Sequence, residues 1–79
     1  MEFLWDEKNI AHMERHRVSP ELAEAVFLAG RDVIHGTSIR WRFVLESEVD
    51  GRTYRLFFDR SSDGTRIYPV TCCPVGRKG

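Results

Sequence analysis

Two runs of residues rich in aromatic and branched side chains, separated by the pair Asp50-Gly51, dominate the pattern of this chain. The first run covers residues 41–49 and the second covers residues 52–58. An Asp-Gly pair favours a two-residue type I′ turn, because both residues of that turn need positive φ. The pattern therefore predicts a β-hairpin whose turn is centred on Asp50-Gly51.

The position of this turn determines which residues of the two strands face each other. Counting outward from the turn places apolar pairs such as Leu45 and Leu56 on one face of the hairpin. The other face pairs Glu46 with Arg55, Val44 with Phe57, and Arg42 with Asp59. Opposite charges meet twice on this second face, which is a favourable cross-strand arrangement. We expect the first face to be buried and the second to be a polar surface with an apolar middle.

The first thirty residues are patterned for helices that follow a short apolar run at residues 2–5, a candidate first strand. Asp6 is a suitable N-cap for a helix that extends to about residue 15. Ser19 can cap a second helix, with Pro20 at its first position and Gly30 at its end.

After the second helix, residues 32–35 form a candidate short strand, and residues 66–72 form the last strand. A four-residue loop in the polar segment 60–65 would place Ile67 opposite Phe58. Pro69 has no N–H to donate, so this strand should lie at an edge or be distorted there. We expect residues 74–79 to fray. The fold predicted for residues 1–79 is a single α+β domain, with two N-terminal helices packed on a meandering antiparallel sheet.

Composition narrows the class of protein without identifying it. The 79 residues are 42% hydrophobic and 30% charged, which is typical of a globular domain. No apolar run is long enough for a membrane span, and no signal-peptide pattern opens the chain, so we expect a cytoplasmic protein. Residues 1–30 hold six acidic against three basic side chains, and residues 40–79 hold eight basic against five acidic ones. A basic second half is compatible with a polyanion surface or with ordinary solvated charge.

Cysteines and histidines give little support for a metal site or a disulfide. Cys72 and Cys73 are adjacent, which fits neither a disulfide framework nor a CxxC site, and we expect them to point to opposite faces of a strand. His12 and His16 share one helix face, but two histidines need further ligands to hold a metal ion.

The exposed hairpin face offers the more suggestive chemistry. Arginines there can bind phosphates, aromatic rings can stack on bases, and a carboxylate such as Glu46 could take a proton from a ribose 2′-hydroxyl while Arg55 stabilises the phosphate. The candidate RNA-contacting residues are Arg40, Arg42, Phe57, Arg66 and Tyr68. Two other interpretations remain open: a solvated face with ion pairs, and a surface for a protein partner.

Several segments resemble one bacterial family. They are Phe3-Leu4-Trp5-Asp6-Glu7-Lys8-Asn9, His16-Arg17-Val18-Ser19-Pro20-Glu21, Ala25-Val26-Phe27, Asp50-Gly51-Arg52 and Asp63-Gly64-Thr65-Arg66-Ile67. In this order, over roughly residues 2–70, they resemble the BrnT family, the toxin halves of type II toxin–antitoxin pairs.

The resemblance implies a RelE-like two-layer fold and a ribonuclease that cuts RNA, mRNA in particular, without a metal or other cofactor. It also implies neutralisation by a cognate antitoxin, with promoter DNA bound only through the antitoxin. The matching functional positions are Lys8 and His16 in the helical part and the arginines of the sheet.

The chain departs from the family pattern at three points. Family members usually have a small residue, often glycine, where this chain has Arg17. They have an Ile-Ser-Ala-Arg-like segment where residues 68–73 contain no arginine. They then continue into a helix rich in Arg and Glu that these 79 residues do not include.

Three hypotheses follow. The first is a toxin-type endoribonuclease, with Glu46 or His16 transferring protons and with Arg55 and Lys8 at the phosphate. The second, favoured by the missing strand-end arginine and helix, is a non-catalytic interaction module that keeps the toxin fold. The third, compatible with both, is a homodimer formed through the Pro69-containing edge strand or the apolar middle of the hairpin face.

Overall fold

Two helices lie on one face of a five-stranded sheet in the computed structural model, which describes residues 1–76. The elements in chain order are β1 (Glu2–Phe3), α1 (Glu7–Glu14), α2 (Pro20–Gly30), a 3₁₀ turn (Arg31–Val33), β2 (His35–Gly36), β3 (Arg42–Val49), β4 (Arg52–Arg60) and β5 (Arg66–Pro74). This α+β arrangement confirms the predicted class. No helix within residues 1–76 is long and apolar enough to cross a membrane.

The β3–β4 hairpin has the predicted register. Asp50 and Gly51 form its turn with φ of 53° and 80°. Leu45 lies opposite Leu56, and Glu46 lies opposite Arg55. The prediction succeeded because the turn residues fix the count along both strands.

The strands β2 to β5 form the predicted antiparallel meander, but the sheet as a whole is mixed rather than purely antiparallel. Its strand order is β1-β5-β4-β3-β2, and β1 runs parallel to β5. The Glu2 N–H donates to the Thr65 carbonyl at 2.7 Å, and the Leu4 N–H donates to the Ile67 carbonyl at 2.8 Å. A two-residue strand has no periodicity of its own, so its direction in the sheet is decided by tertiary packing.

The predicted pairing of β4 with β5 is wrong by two residues. Ile67 lies opposite Arg60, and Phe58 lies opposite Pro69. The shift arises because β4 continues to Arg60 and the Ser61 N–H donates to the Arg66 carbonyl at 3.0 Å, which closes the loop at residues 62–65. A shift of two keeps the side chains of residues 66–69 on their predicted faces, so Ile67 is still buried.

The expected distortion near Pro69 is confirmed as a β-bulge. Phe58 pairs with Pro69 and Phe57 pairs with Thr71, which leaves Val70 as the extra residue of β5. The fraying expected of residues 74–79 is contradicted at the start of that segment, because Pro74 belongs to β5 and the Val75 N–H donates to the Thr53 carbonyl at 2.9 Å. Residues 77–79 lie outside the described part of the chain.

Helix α1 begins at the predicted cap. The Asp6 carboxylate accepts from the Asn9 N–H at 2.9 Å, and the Asn9 side chain accepts from the Asp6 N–H at 2.8 Å. The Asn9 amide also donates to the carbonyls of Leu4 (3.0 Å) and Pro69 (2.9 Å). Asn9 is buried, and it ties together the end of β1, the start of α1 and the bulged part of β5.

Helix α1 ends in a Schellman motif. The Val18 N–H donates to the Met13 carbonyl at 3.1 Å, and the Arg17 N–H donates to the Glu14 carbonyl at 2.9 Å. Met13 and Val18, at the two ends of this motif, are both buried. The motif requires a left-handed residue, and Arg17 supplies it with φ of 59°.

Helix α2 spans the predicted residues, with Ser19 as its N-cap and Pro20 in its first turn. Gly30 is its last residue, and its role is close packing rather than a positive φ. A Cβ at that position would lie 2.8 Å from the Cβ of Ser47. The Ser47 hydroxyl donates to the Val26 carbonyl at 2.7 Å, so α2 is fixed closely against β3.

Aromatic rings form the centre of the core between the helices and the sheet. The ring of Phe27 on α2 meets Phe58 edge-on at 5.2 Å, and Phe3 on β1 meets Phe27 in the same way at 5.4 Å. Each fully buried side chain of this size contributes on the order of 1.5–3 kcal/mol through the hydrophobic effect. The helices therefore cover one face of the sheet, and the other face is not covered by them.

Candidate functional site

The uncovered side of β3, β4 and β5 forms a surface that we call the open face. The strand register and the burial pattern together assign its residues. Its charged members are Arg42, Glu46, Glu48, Arg55, Asp59 and Arg66. Three arginines and three carboxylates cancel, so this face holds a balanced charge pattern rather than a basic patch.

Glu46 and Arg55 form an ion pair near the middle of the open face. Arg55 Nη2 lies 2.6 Å and Nε lies 2.7 Å from the same carboxylate oxygen, Oε2 of Glu46. About half of each side chain is exposed to solvent. Because both contacts go to Oε2, the other carboxylate oxygen is the one that an approaching group can use. The second edge of the guanidinium is likewise directed away from Glu46.

Arg42 and Asp59 form the second ion pair that the register predicts. Arg42 Nε lies 2.7 Å from Oδ1 of Asp59, and Nη2 lies 3.1 Å from Oδ2. This two-point hydrogen bond raises the pKa of Arg42 above its ordinary value, and burial opposes the shift. Arg42 is thus held in place by Asp59, and a phosphate can approach only the guanidinium edge that does not face that carboxylate.

His35 lies beside the Glu46–Arg55 pair, although the sequence did not single it out. It pairs with Val44 across β2 and β3, which puts its side chain on the open face. A cavity of about 380 Å³ opens there, lined by Val33, His35, Val44, Leu45, Glu46 and Arg55. We call it the β2–β3 cavity. It brings an imidazole, a carboxylate and a guanidinium to one concave site.

Tyr68 connects the open face to the start of α1. Its hydroxyl donates to the Asp6 carboxylate, 3.0 Å from Oδ2 and 3.2 Å from Oδ1. Burial, then this hydrogen bond and the charges of Asp6 and Asp59, raise the pKa of Tyr68. The N–H of Asn9 is the main cause that lowers the pKa of Asp6, and the charge of Lys8 lowers it further. Lys8 thus lies near the Asp6 carboxylate at the start of α1.

Trp41 stands between two further clefts at the end of the sheet. Its side chain is 58% exposed, which is high for a residue that usually buries most of its surface. One cleft of about 340 Å³ includes Arg40, and the other, of about 300 Å³, includes Arg66 and Tyr68. Arg60 contacts both clefts and lies with its guanidinium carbon 4.3 Å from the centre of the Phe43 ring.

The structure does not bring all of the candidate residues together. Glu46, Arg55 and Phe57 share the open face, whereas Lys8 and His16 belong to α1 or its C-terminal end, in the helical layer. His16 is exposed, and its ring centre lies 6.3 Å from that of His12. The sheet separates this histidine pair from Glu46.

His35 and Trp41 were missed for identifiable reasons. His35 ended a short candidate strand, and only its pairing with β3 places it next to Glu46. The sequence pattern predicts a strand that begins at Trp41, but β3 begins one residue later, at Arg42. The available signals were a histidine in an edge strand and a tryptophan flanked by two arginines in a segment next to a turn.

The cysteines behave as the sequence predicts. Cys72 is buried in the core opposite Leu56, and Cys73 is half-buried opposite Arg55 on the open face. Burial raises the pKa of the Cys72 thiol to about 12. Among residues 1–76, no group of three or more His, Cys, Asp or Glu side chains is placed to hold a metal ion.

Comparisons with known proteins leave the family open. No protein-family model, no curated protein and no solved structure matches this chain.

Proposed function

We propose that this protein is a toxin-type endoribonuclease with a RelE-like fold, related to the BrnT toxins, and that its open face binds and cuts RNA. The observation that carries the proposal is the Glu46–Arg55 pair, which stands half-exposed at the wall of a cavity on the open face. Paired acidic and basic side chains in a cleft are typical of sites that move protons and stabilise charge.

The proposed reaction is transesterification within the RNA backbone. Glu46 takes the proton of a ribose 2′-hydroxyl on its free oxygen, and the 2′-oxygen attacks the adjacent phosphorus. Arg55 binds the phosphate through the guanidinium edge that does not face Glu46, and it stabilises the charge of the pentacovalent phosphate. The bond from phosphorus to the 5′-oxygen breaks, which leaves a 2′,3′-cyclic phosphate and a 5′-hydroxyl.

The flanking residues of the open face and its edge would hold the RNA strand. Phe57 lies half-buried between the strands that carry Glu46 and Tyr68, where a base can stack on its ring. Arg66 and Arg40 line the Trp41 clefts and can contact phosphates on one side of the cleavage site. Arg42 can do so while Asp59 holds it in position.

Only the family resemblance supports the roles proposed for Lys8 and His16. Their place in the helical layer favours Glu46 over His16 for proton transfer. A cognate antitoxin that covers the open face would block the reaction, and promoter DNA would be bound by the antitoxin.

The test is expression of this protein alone in bacteria, followed by an RNA cleavage assay on the purified protein. We expect growth arrest and RNA fragments with the wild type, and a loss of both with Arg55→Ala. Arg52→Ala is the matched control, because Arg52 is an exposed arginine of the same strand that lies opposite Val49 at the hairpin end. A wild type that neither arrests growth nor cuts RNA would refute the proposal.

One observation favours the second candidate function, a non-catalytic interaction module. The charges of the open face cancel, and its apolar middle includes Val44 and Phe57, a pattern that suits a protein partner as well as a polyanion. Under this alternative the purified protein is inactive on RNA, and charge substitutions on the open face weaken binding of a partner protein instead.

A further inference from the structure

His35 occupies a position that the proposed reaction needs and that no other candidate residue fills. When the 2′-oxygen attacks phosphorus, the 5′-oxygen departs from the opposite side and has to gain a proton. The base and the acid are therefore different groups on either side of the phosphate. Glu46 can be only one of them.

The β2–β3 cavity puts His35 and Glu46 around one space. His35 is carried by the edge strand β2, and Glu46 is carried by β3, with Arg55 beyond it on β4. The cavity, of about 380 Å³, falls in the range of small-molecule sites. Arg55, Glu46 and His35 all line this cavity, so a phosphate bound there by Arg55 is near both a carboxylate and an imidazole.

The other two histidines are in the wrong layer for this reaction. His12 and His16 lie along and just after α1, on the helical side of the sheet. His35 is exposed and lines the β2–β3 cavity, and an imidazole is a side chain that can donate a proton to a leaving group. It is the histidine that faces the cavity of Glu46.

We propose that His35 is the general acid of this site, an inference that rests on the proposed ribonuclease function. His35 in its imidazolium form gives a proton to the departing 5′-oxygen while Glu46 accepts the proton of the 2′-hydroxyl. One phosphorus–oxygen bond forms and one breaks, no electrons are exchanged with a further reagent, and water returns both side chains to their starting protonation states. The substrate class is single-stranded RNA, and the scissile phosphate lies in the β2–β3 cavity.

A leaving group that needs no proton provides the test. The wild-type cleavage site is first mapped on an RNA oligonucleotide, and the same oligonucleotide is then made with sulfur in place of the 5′-oxygen at that site. A thiolate leaves without protonation, so only the need for the acid is removed. We expect His35→Ala to cut ordinary RNA on the order of 10²–10⁴ times more slowly than the wild type. On the sulfur-containing RNA its rate should come within about tenfold of wild type, because general-acid catalysis no longer contributes.

Two further variants serve as controls for this test. Arg55→Ala should be slow on both substrates, because phosphate stabilisation is needed whichever atom leaves. His12→Ala, the removal of another exposed histidine, should match the wild type on both.

Each outcome decides between the inference and the proposed function. An active wild type with an equally active His35→Ala variant overturns the role of His35 and leaves the ribonuclease proposal standing. Equal losses of His35→Ala on both substrates also overturn it, because the histidine then acts in binding or folding. A wild type that is inactive on both substrates overturns the ribonuclease proposal and this inference together.

Discussion

Arg17 has a backbone conformation that suits glycine better than arginine. Its φ of 59° lies in the left-handed region, which costs an ordinary residue about 1 kcal/mol or more and costs glycine almost nothing. Its position closes the Schellman motif that ends α1. We therefore predict that Arg17→Gly raises the free energy of unfolding by about 0.5–1 kcal/mol, measured by urea denaturation.

The neighbouring Arg15 provides the control for this prediction. Its φ of −59° is helical, so Arg15→Gly should lower the free energy of unfolding by about 0.5–1 kcal/mol. Both variants remove one exposed arginine, and their opposite signs isolate the backbone effect. A destabilised Arg17→Gly variant would contradict the assigned conformation.

Asn9 is the buried polar residue that joins three parts of the fold. Its side chain accepts from the Asp6 N–H and donates to the carbonyls of Leu4 and Pro69. Asn9→Ala leaves these groups without their partner, and we predict a loss of about 2–4 kcal/mol in the free energy of unfolding. Guanidinium denaturation would measure it, and a loss below about 0.5 kcal/mol would show that water replaces the side chain.

The residue scale also shows which parts of the site could be predicted. Glu46 and Arg55 were identified because two strands joined by a tight turn have a countable register. His35 was not, because β2 has only two residues and its partner in β3 is set by how the chain returns after the 3₁₀ turn. The role of Asn9 could not be predicted either, because its hydrogen-bond partner Pro69 is sixty residues away in the sequence.

At the scale of elements, Gly30 determines how closely α2 can lie on β3. A Cβ there would stand 2.8 Å from the Ser47 Cβ and 3.0 Å from the Glu46 carbonyl oxygen. We predict that Gly30→Ala lowers the free energy of unfolding by about 1–3 kcal/mol, although alanine is the better helix former. Thermal denaturation gives the measurement.

A second variant tests the cause of that loss. Gly30→Ala combined with Ser47→Gly removes the Cβ atom that clashes, so the pair should lose less stability than the two single changes added together. Simple additivity would mean that α2 and β3 are not in the contact that the structure assigns. The contact also bears on the proposed ribonuclease function, because β3 carries Glu46.

Elements differed in how far the sequence could predict them. The helices were predicted correctly at their caps, because Asp6, Ser19 and Pro20 act locally. The parallel pairing of β1 and the two-residue shift of β5 were missed, because both depend on contacts between distant segments. Local chemistry predicts where an element begins more reliably than where it pairs.

At the scale of the whole molecule, the buried Cys72 thiol links global stability to alkaline pH. Its pKa is raised to about 12 by burial, and the unfolded chain holds a thiol of ordinary pKa near 8.5. Above that ordinary value the unfolded chain releases the proton and the folded chain keeps it, so the stability falls as pH rises from about 9 towards 12.

We predict that Cys72→Ala has a shallower loss of stability than the wild type over this alkaline range. The Cys72 thiol lowers the free energy of unfolding by up to about 1.4 kcal/mol for each pH unit in this range. Tyr68, whose pKa is also raised, acts in the same direction in both proteins. Denaturant titrations at several pH values would show the difference, and parallel curves for the two proteins would contradict the burial of Cys72.

One face of the sheet is covered by the two helices, and the other face is uncovered. The helices supply the covering on one side, and the balanced charges, the β2–β3 cavity and the half-exposed Phe57 occupy the other. Such a division leaves the open face available for RNA or for a partner without disturbing the core. The ribonuclease proposal therefore depends on whether the open face carries out chemistry.

The most direct measurement is the rate and product of RNA cleavage by purified wild type, Glu46→Gln and Glu48→Gln. Both variants remove one carboxylate charge from β3 on the open face, but only Glu46 contacts Arg55. We predict fragments ending in 2′,3′-cyclic phosphate, a rate lowered on the order of 10²–10⁴-fold by Glu46→Gln, and a nearly unchanged rate with Glu48→Gln. An active wild type whose rate is equally insensitive to both changes would contradict this prediction.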